Sequence, residues 1–138
     1  MKSLSVLLGE WKTVGKHPYL ADMVLHGTTS FKWLEGGAFL IMHAKNTEGK
    51  IPGSVAVFGT DDTRAEIFML YFDEGKVSRK YEVAFDGNVL TWWRNDSDFS
   101  QRFTLTLNDP NTMTGHGEMC KDGTTWEKDL ELTYTRIN

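Results

Sequence analysis

The feature that most constrains this chain is its punctuation. Short runs of alternating apolar and polar residues are cut at regular intervals by glycine- and aspartate-rich clusters, with almost no helical periodicity. The pattern predicts strands over 10–17, 25–34, 38–46, 53–60, 65–72, 77–85, 88–94, 99–107, 112–120 and 125–136, which is about ten. Between them lie Glu35-Gly36-Gly37, Asn46-Thr47-Glu48-Gly49, Asp61-Asp62, Asp73-Glu74-Gly75, Asp86-Gly87-Asn88, Asn108-Asp109-Pro110-Asn111 and Lys121-Asp122-Gly123. Such residues supply the positive φ angles and side-chain caps of tight turns, and links this short join antiparallel neighbours. The longer connection, His17 to Val24, mixes apolar residues with a proline and has room for a short helical turn. No repeat or linker divides residues 1–138, which read as one domain.

A meander of this length leaves two exposed edges unless it curls until its first and last strands pair. The expected fold is therefore all-β: an antiparallel up-and-down barrel of about ten strands. A two-sheet sandwich is the alternative, but it uses longer crossing connections than this chain offers.

Gly9-Glu10-Trp11 falls on the first predicted strand and Tyr134-Thr135-Arg136 on the last. Together Gly-x-Trp and Arg136 resemble the calycin pattern of lipocalins, which implies that the arginine packs over the tryptophan at the closed end of the barrel. Further stretches are similar to a bacterial family of lipocalin-like proteins of unknown function, itself distantly similar to nitrobindin and the fatty-acid-binding proteins. They include Phe68 to Asp73, Val77 to Glu82, Trp92-Trp93-Arg94, Phe99 to Phe103 and Trp126 to Arg136. The resemblance implies a calycin-type barrel and no activity. Independently of it, a guanidinium on an indole face gains on the order of 1 kcal/mol when partly shielded. The plainer alternative makes Trp11 a core aromatic and Arg136 a solvated terminal charge.

Each hairpin reverses the chain, so Trp11 and Arg136 assign every turn to one end of the barrel. The turns at 35–37, 61–64, 86–88 and 108–111 belong with them at the closed end. The 17–24 segment, the 46–52 loop and the turns at 73–76, 95–98 and 121–124 lie opposite, where a ligand would enter. Parity then sorts faces, because residues two apart share one. Trp126, Lys128, Leu130, Leu132 and Tyr134 share a face on the last strand, as do Arg79, Tyr81 and Val83 on the sixth and Gln101, Phe103 and Leu105 on the eighth.

Four polar residues interrupt these apolar faces: Arg79, Tyr81, Gln101 and Lys128, all in the half of their strands nearest the open end. A charge inside an apolar barrel is costly unless it is paired with another group or with a ligand. An arginine beside a tyrosine and other donors makes an anion grip, the guanidinium supplying a bidentate fork. Alternatively, the cations snorkel to water at the rim or pair with acids such as Glu66 or Glu118. Three strands stay ambiguous because both faces are apolar: Phe39 to Ala44, Ile67 to Phe72 and Val89 to Trp93. Something should cover their outer faces: a self-association surface, with a homodimer as its simplest form, or the 17–24 or Leu4–Leu8 segment packed externally.

A net charge of −4 and a pI near 5.5 disfavour nucleic-acid binding, which needs clustered basic residues. A single cysteine, Cys120, forms no internal disulfide, which fits a cytoplasmic protein. The apolar run Leu4 to Leu8 is too brief for a signal segment, and no run approaches the ~20 apolar residues of a membrane span. His17, His26 and His43 fall near the open end, but His26 has outward parity and no metal-ligand spacing appears, so no metal site is assigned. Nitrobindin-type barrels hold haem through a histidine near the C-terminus; no histidine follows His116 here, which disfavours haem and leaves His43 or His17 as its residual ligands. No nucleophile elbow or phosphate-binding loop is present, and no catalytic residue is assigned.

The leading expectation is a protein that binds a small hydrophobic or amphipathic molecule, with or without a carboxylate. Arg79, Tyr81, Gln101 and Lys128 would grip its polar end beside His43, with Trp33, Phe103 and Trp126 along the wall. Two alternatives stay open. One is an enzyme using a mouth histidine, His43 or His17, on a hydrophobic substrate. The other is a filled barrel acting as a protein-interaction module.

Overall fold

The computed structural model describes residues 1–20, 22–47 and 51–138. Ten strands run in chain order: β1 (Gly9–Lys16), β2 (Leu25–Leu34), β3 (Phe39–Asn46), β4 (Ser54–Thr60), β5 (Ile67–Asp73), β6 (Ser78–Phe85), β7 (Val89–Arg94), β8 (Ser100–Asp109), β9 (Thr112–Cys120) and β10 (Trp126–Arg136). Each pairs antiparallel with its neighbours in sequence, and β1 pairs with β10, so the sheet is a closed up-and-down barrel without an edge. The expected short helical turn exists as a 3₁₀ turn at Pro18–Leu20. Residue 21 of that connection and residues 48–50 of the expected 46–52 loop lie outside the described residues.

The turns follow from local chemistry. Asp86 accepts the backbone N–H groups of Asn88 and Val89 at 2.9 and 2.8 Å, while Gly87 between them takes a φ of 104° that a side chain would resist. Asp122 does the same for Thr124 and Thr125 at 2.9 and 2.7 Å. These backbone donors favour the ionised carboxylate and hold both acids below the usual aspartate range.

Trp11 and Arg136 close one end. The guanidinium carbon lies 4.2 Å from the Trp11 ring centroid, and its nitrogens donate to the carbonyls of Val6 (2.9 Å), Leu8 and Pro110 (3.0 Å). The Trp11 indole N–H donates to the Leu7 carbonyl at 2.9 Å. A 3₁₀ segment, Lys2–Leu7, is thereby fastened across the floor, with Leu4 and Leu7 fully buried in the core. The alternative in which this segment covers the outer wall is corrected: its apolar residues plug the barrel end, where Trp11 and Arg136 supply the hydrogen bonds its backbone needs.

The strands with two apolar faces now have a direction. Leu40, Met42, Ala56, Phe58, Met69 and Leu90 point into the core. Phe39, Leu70 and Phe72 lie on the outer face and remain exposed.

Candidate functional site

Above the plugged floor the barrel holds a cavity of about 520 Å³ that opens at the end opposite Trp11. The chain makes room for it in β9, where Gly115 and Gly117 take inward positions: a Cβ on Gly115 would stand 2.5 Å from the Phe103 ring and 3.0 Å from that of Tyr134. The middle of the cavity is aromatic and aliphatic. Trp92 and Phe103 stack with centroids 4.7 Å apart and planes 15° from parallel, and Met42 and Leu132 complete the wall.

The mouth is polar, and its centre is Gln101. The Gln101 side-chain carbonyl accepts from Arg79 Nη1 at 2.6 Å and from the Tyr81 hydroxyl at 3.0 Å. That double acceptance turns the amide NH₂ away, leaving it and the remaining guanidinium N–H groups as donors at the cavity lip. Arg79 also lies over Phe99, with 5.5 Å from its guanidinium carbon to the ring centroid. Among the described residues no carboxylate lies within ion-pair distance of Arg79. Burial pushes the Tyr81 phenol above its ordinary pKa despite the nearby guanidinium, so at neutral pH it is a hydrogen-bonding hydroxyl. Tyr71 packs edge-on against Tyr81 and donates to Asp73 Oδ2 at 2.9 Å; burial and then that carboxylate raise its pKa too.

The 3₁₀ turn Pro18–Leu20 sits at the lip, where Tyr19 and Leu20 line the cavity. His17 fastens it to β10. Its Nε2 lies 2.9 Å from Asp129 Oδ1, and its Nδ1 accepts the Tyr19 backbone N–H at 3.1 Å. An Nδ1 that accepts carries no proton, so the proton sits on Nε2, facing Asp129. Both ring nitrogens are thus occupied within the protein.

Four of the residues singled out from sequence meet at this cavity: Arg79, Tyr81, Gln101 and Phe103. The other four lie elsewhere. Lys128, expected inward, is exposed on the outer wall, and Trp126 shares that wall. The reason is a β-bulge. Lys128 pairs with Glu118 of β9, but Glu131 already pairs with His116, so β10 carries one extra residue and parity flips between them. The bulge sends Asp129 to the cavity beside Leu130. Trp126 instead packs under Arg102, whose guanidinium lies 3.9 Å from its ring centroid and bonds both oxygens of Glu118, at 2.7 and 3.0 Å. Glu118 is held below its ordinary pKa by that pairing. Trp33, expected to line the wall, lies near the closed end of β2, opposite Leu40, below the cavity. His43 is exposed on the outer face of β3, beside Val55 and Phe72 rather than at the cavity.

A closed ten-stranded up-and-down barrel with an apolar cavity and a hydrogen-bonded cationic lip is the class of molecule that fold and site define. Among solved structures, the chain is similar to Rv2717c from M. tuberculosis, with a TM-score of 0.66 at 13% identity over 99% of this chain and 96% of that one. It is also similar to EF1p2_mFAP2b, solved bound to DFHBI, with a TM-score of 0.50 at 12% identity over 97% of this chain and 96% of that one. At these identities the likeness is one of fold. No protein-family model and no curated protein sequence matches the chain.

Proposed function

We propose that the protein binds a small amphipathic molecule inside its barrel, with an acidic head at the lip and an apolar body between Trp92, Phe103 and Leu132. One observation carries the reading: Arg79 lines the cavity, is held in place by Gln101, and has no carboxylate partner among the described residues. A guanidinium fixed through one nitrogen keeps its other donors oriented toward an incoming anion, which lowers the ordering cost of binding. The cavity's size, within the ~300–1,000 Å³ range of small-molecule sites, supports this reading over a filled interaction module. The enzyme reading has less support, because His17 spends both nitrogens on internal contacts and His43 lies outside the cavity.

Arg79→Gln tests the grip. Loss of a hydrogen bond to a charged group removes about 1.5–3 kcal/mol, so decanoate affinity by calorimetry should fall roughly 10- to 150-fold. Affinity for 1-decanol, which carries no charge, should stay within about threefold. Equal decanoate binding by the two proteins would refute the assignment.

A further inference from the structure

The wall facing Arg79 carries a second polar group of side chains that the lip does not explain. In the closed strand order β1 is equidistant from β6 in either direction, so β10, β1 and β2 face the strand that bears Arg79 and Tyr81. On that wall Thr13, Thr29 and Tyr134 line the cavity, with relative exposures of only 4%, 3% and 5%. Thr13 and Tyr134 are register partners across β1 and β10, one inward step above Trp11, and Thr29 stands diagonally beside Thr13 on β2. None of the three hydroxyls has a hydrogen-bond partner among the described residues. They are not sealed in the packing either. No fully buried side-chain oxygen or nitrogen of the described residues lacks a partner, so these oxygens keep surface toward the cavity they line. Burial alone raises the Tyr134 phenol above its usual range, and it stays a neutral hydroxyl.

An apolar barrel gains nothing by pointing three unpartnered hydroxyls at its own cavity. An alkyl chain filling the space would strip solvent from them and return no hydrogen bond, a penalty borne for each group left bare. A ligand carrying an oxygen at that depth would satisfy them, since each hydroxyl both donates and accepts. We infer that the ligand is bipolar: an acid whose anionic head meets Arg79 and whose far end carries a neutral hydroxyl or carbonyl that reaches Tyr134, Thr13 and Thr29. The inference rests on the binding function proposed above and narrows its ligand class from plain fatty or aryl acids to oxygenated ones. Arg79 lies at the mouth of β6, whereas Thr13 and Tyr134 lie deep on the opposite wall, so their separation along the barrel axis is on the order of 10 Å, a few residues of strand rise, with the lumen to cross besides.

The test uses matched acids on the whole protein: decanoate against 10-hydroxydecanoate, and cinnamate against 4-hydroxycinnamate, titrated by calorimetry. Wild type should favour the hydroxylated member of at least one pair by roughly 5- to 30-fold. Tyr134→Phe and the near-isosteric Thr13→Val/Thr29→Val should each shrink that preference at least threefold while leaving the unhydroxylated acid as tight or tighter. Arg79→Gln should weaken both members of a pair by the same factor. Acids that bind with no hydroxyl preference, or a preference that survives Tyr134→Phe and the double valine variant alike, would overturn the bipolar ligand and leave the Arg79 grip standing. If none of the four acids binds, the grip falls with it. Cooperative unfolding of each variant in urea establishes that a lost preference is not a lost fold.

Discussion

Replacing Arg136 tests whether the floor of the barrel holds the molecule together. Its guanidinium donates to three carbonyls, those of Val6, Leu8 and Pro110, and lies over Trp11, so one side chain joins the N-terminal plug, the first strand, the last strand and the β8–β9 turn. The bond to Leu8 is partly shielded and contributes about 1.5 kcal/mol as a charged hydrogen bond; the two more exposed bonds contribute about 0.5 kcal/mol each. The contact with the indole adds about 0.5–1 kcal/mol. Arg136→Met keeps much of the stem and removes these contributions, so the expected loss is about 2–4 kcal/mol. For a chain of this length that corresponds to roughly 6–12 °C in Tm, or a fall of about 1–2 M in the urea midpoint at constant slope. Arg136→Lys separates charge from geometry: a lysine retains the cation over the ring but cannot span three carbonyls, so more than half of the loss should persist. Decanoate affinity of the folded fraction should not change, because Arg136 lies at the opposite end from the cavity mouth. If both variants unfold within 0.5 kcal/mol of wild type, on the order of ordinary surface substitutions, the clamp is no clamp and the floor rests on Leu4 and Leu7 alone.

Gly115→Ala should destabilise by about 1–3 kcal/mol and weaken decanoate binding, because its Cβ would stand 2.5 Å from Phe103 and push that ring off Trp92. A melt and a titration of the same sample decide it, and an alanine variant with wild-type affinity would show that the ring yields elsewhere. Acid should loosen the turns first. Asp61, Asp86, Asp109 and Asp122 have depressed folded-state pKa values, so their contribution is complete above the unfolded value near 3.8 and is lost as pH falls through the lower folded ones. Stability should therefore decline from about pH 5 toward pH 2, and Asp122→Asn, which keeps an acceptor oxygen, should flatten part of that slope in urea titrations at stepped pH.

The barrel was legible because turn chemistry is local. Asp86-Gly87-Asn88 and Lys121-Asp122-Gly123 mark hairpins wherever they occur, and a chain punctuated this way has few ways to dispose of its edges. The position of the 3₁₀ segment Lys2–Leu7 was not legible in the same way. Its apolar residues suit any apolar surface, and what selects the floor is the set of donors from Trp11 and Arg136, side chains far apart in sequence that meet only once the barrel closes. Trp33 failed as a wall residue for a related reason: its inward parity was right, but depth along the strand decides whether an inward residue meets the cavity or the floor.

The site divides along the same line. Parity is exact only while pairing is regular, so it located Arg79, Tyr81, Gln101 and Phe103 on strands whose ladders are intact through those positions and missed Asp129 on the one ladder bulged beside the mouth. No residue in Lys128-Asp129-Leu130 announces that bulge; it is visible only as a mismatch between two strands. The hydroxyls are a different case, because Thr13, Thr29 and Tyr134 do follow regular parity. They are inconspicuous in the sequence because threonine and tyrosine are ordinary strand residues that carry no charge. Their significance comes from subtraction: each is more than nine-tenths buried, faces the cavity and has no partner among the described residues. An inward threonine beside the tryptophan floor is thus as specific an observation as an inward arginine, and under the binding function proposed above the two stand on opposite walls, where the two ends of one ligand would meet them.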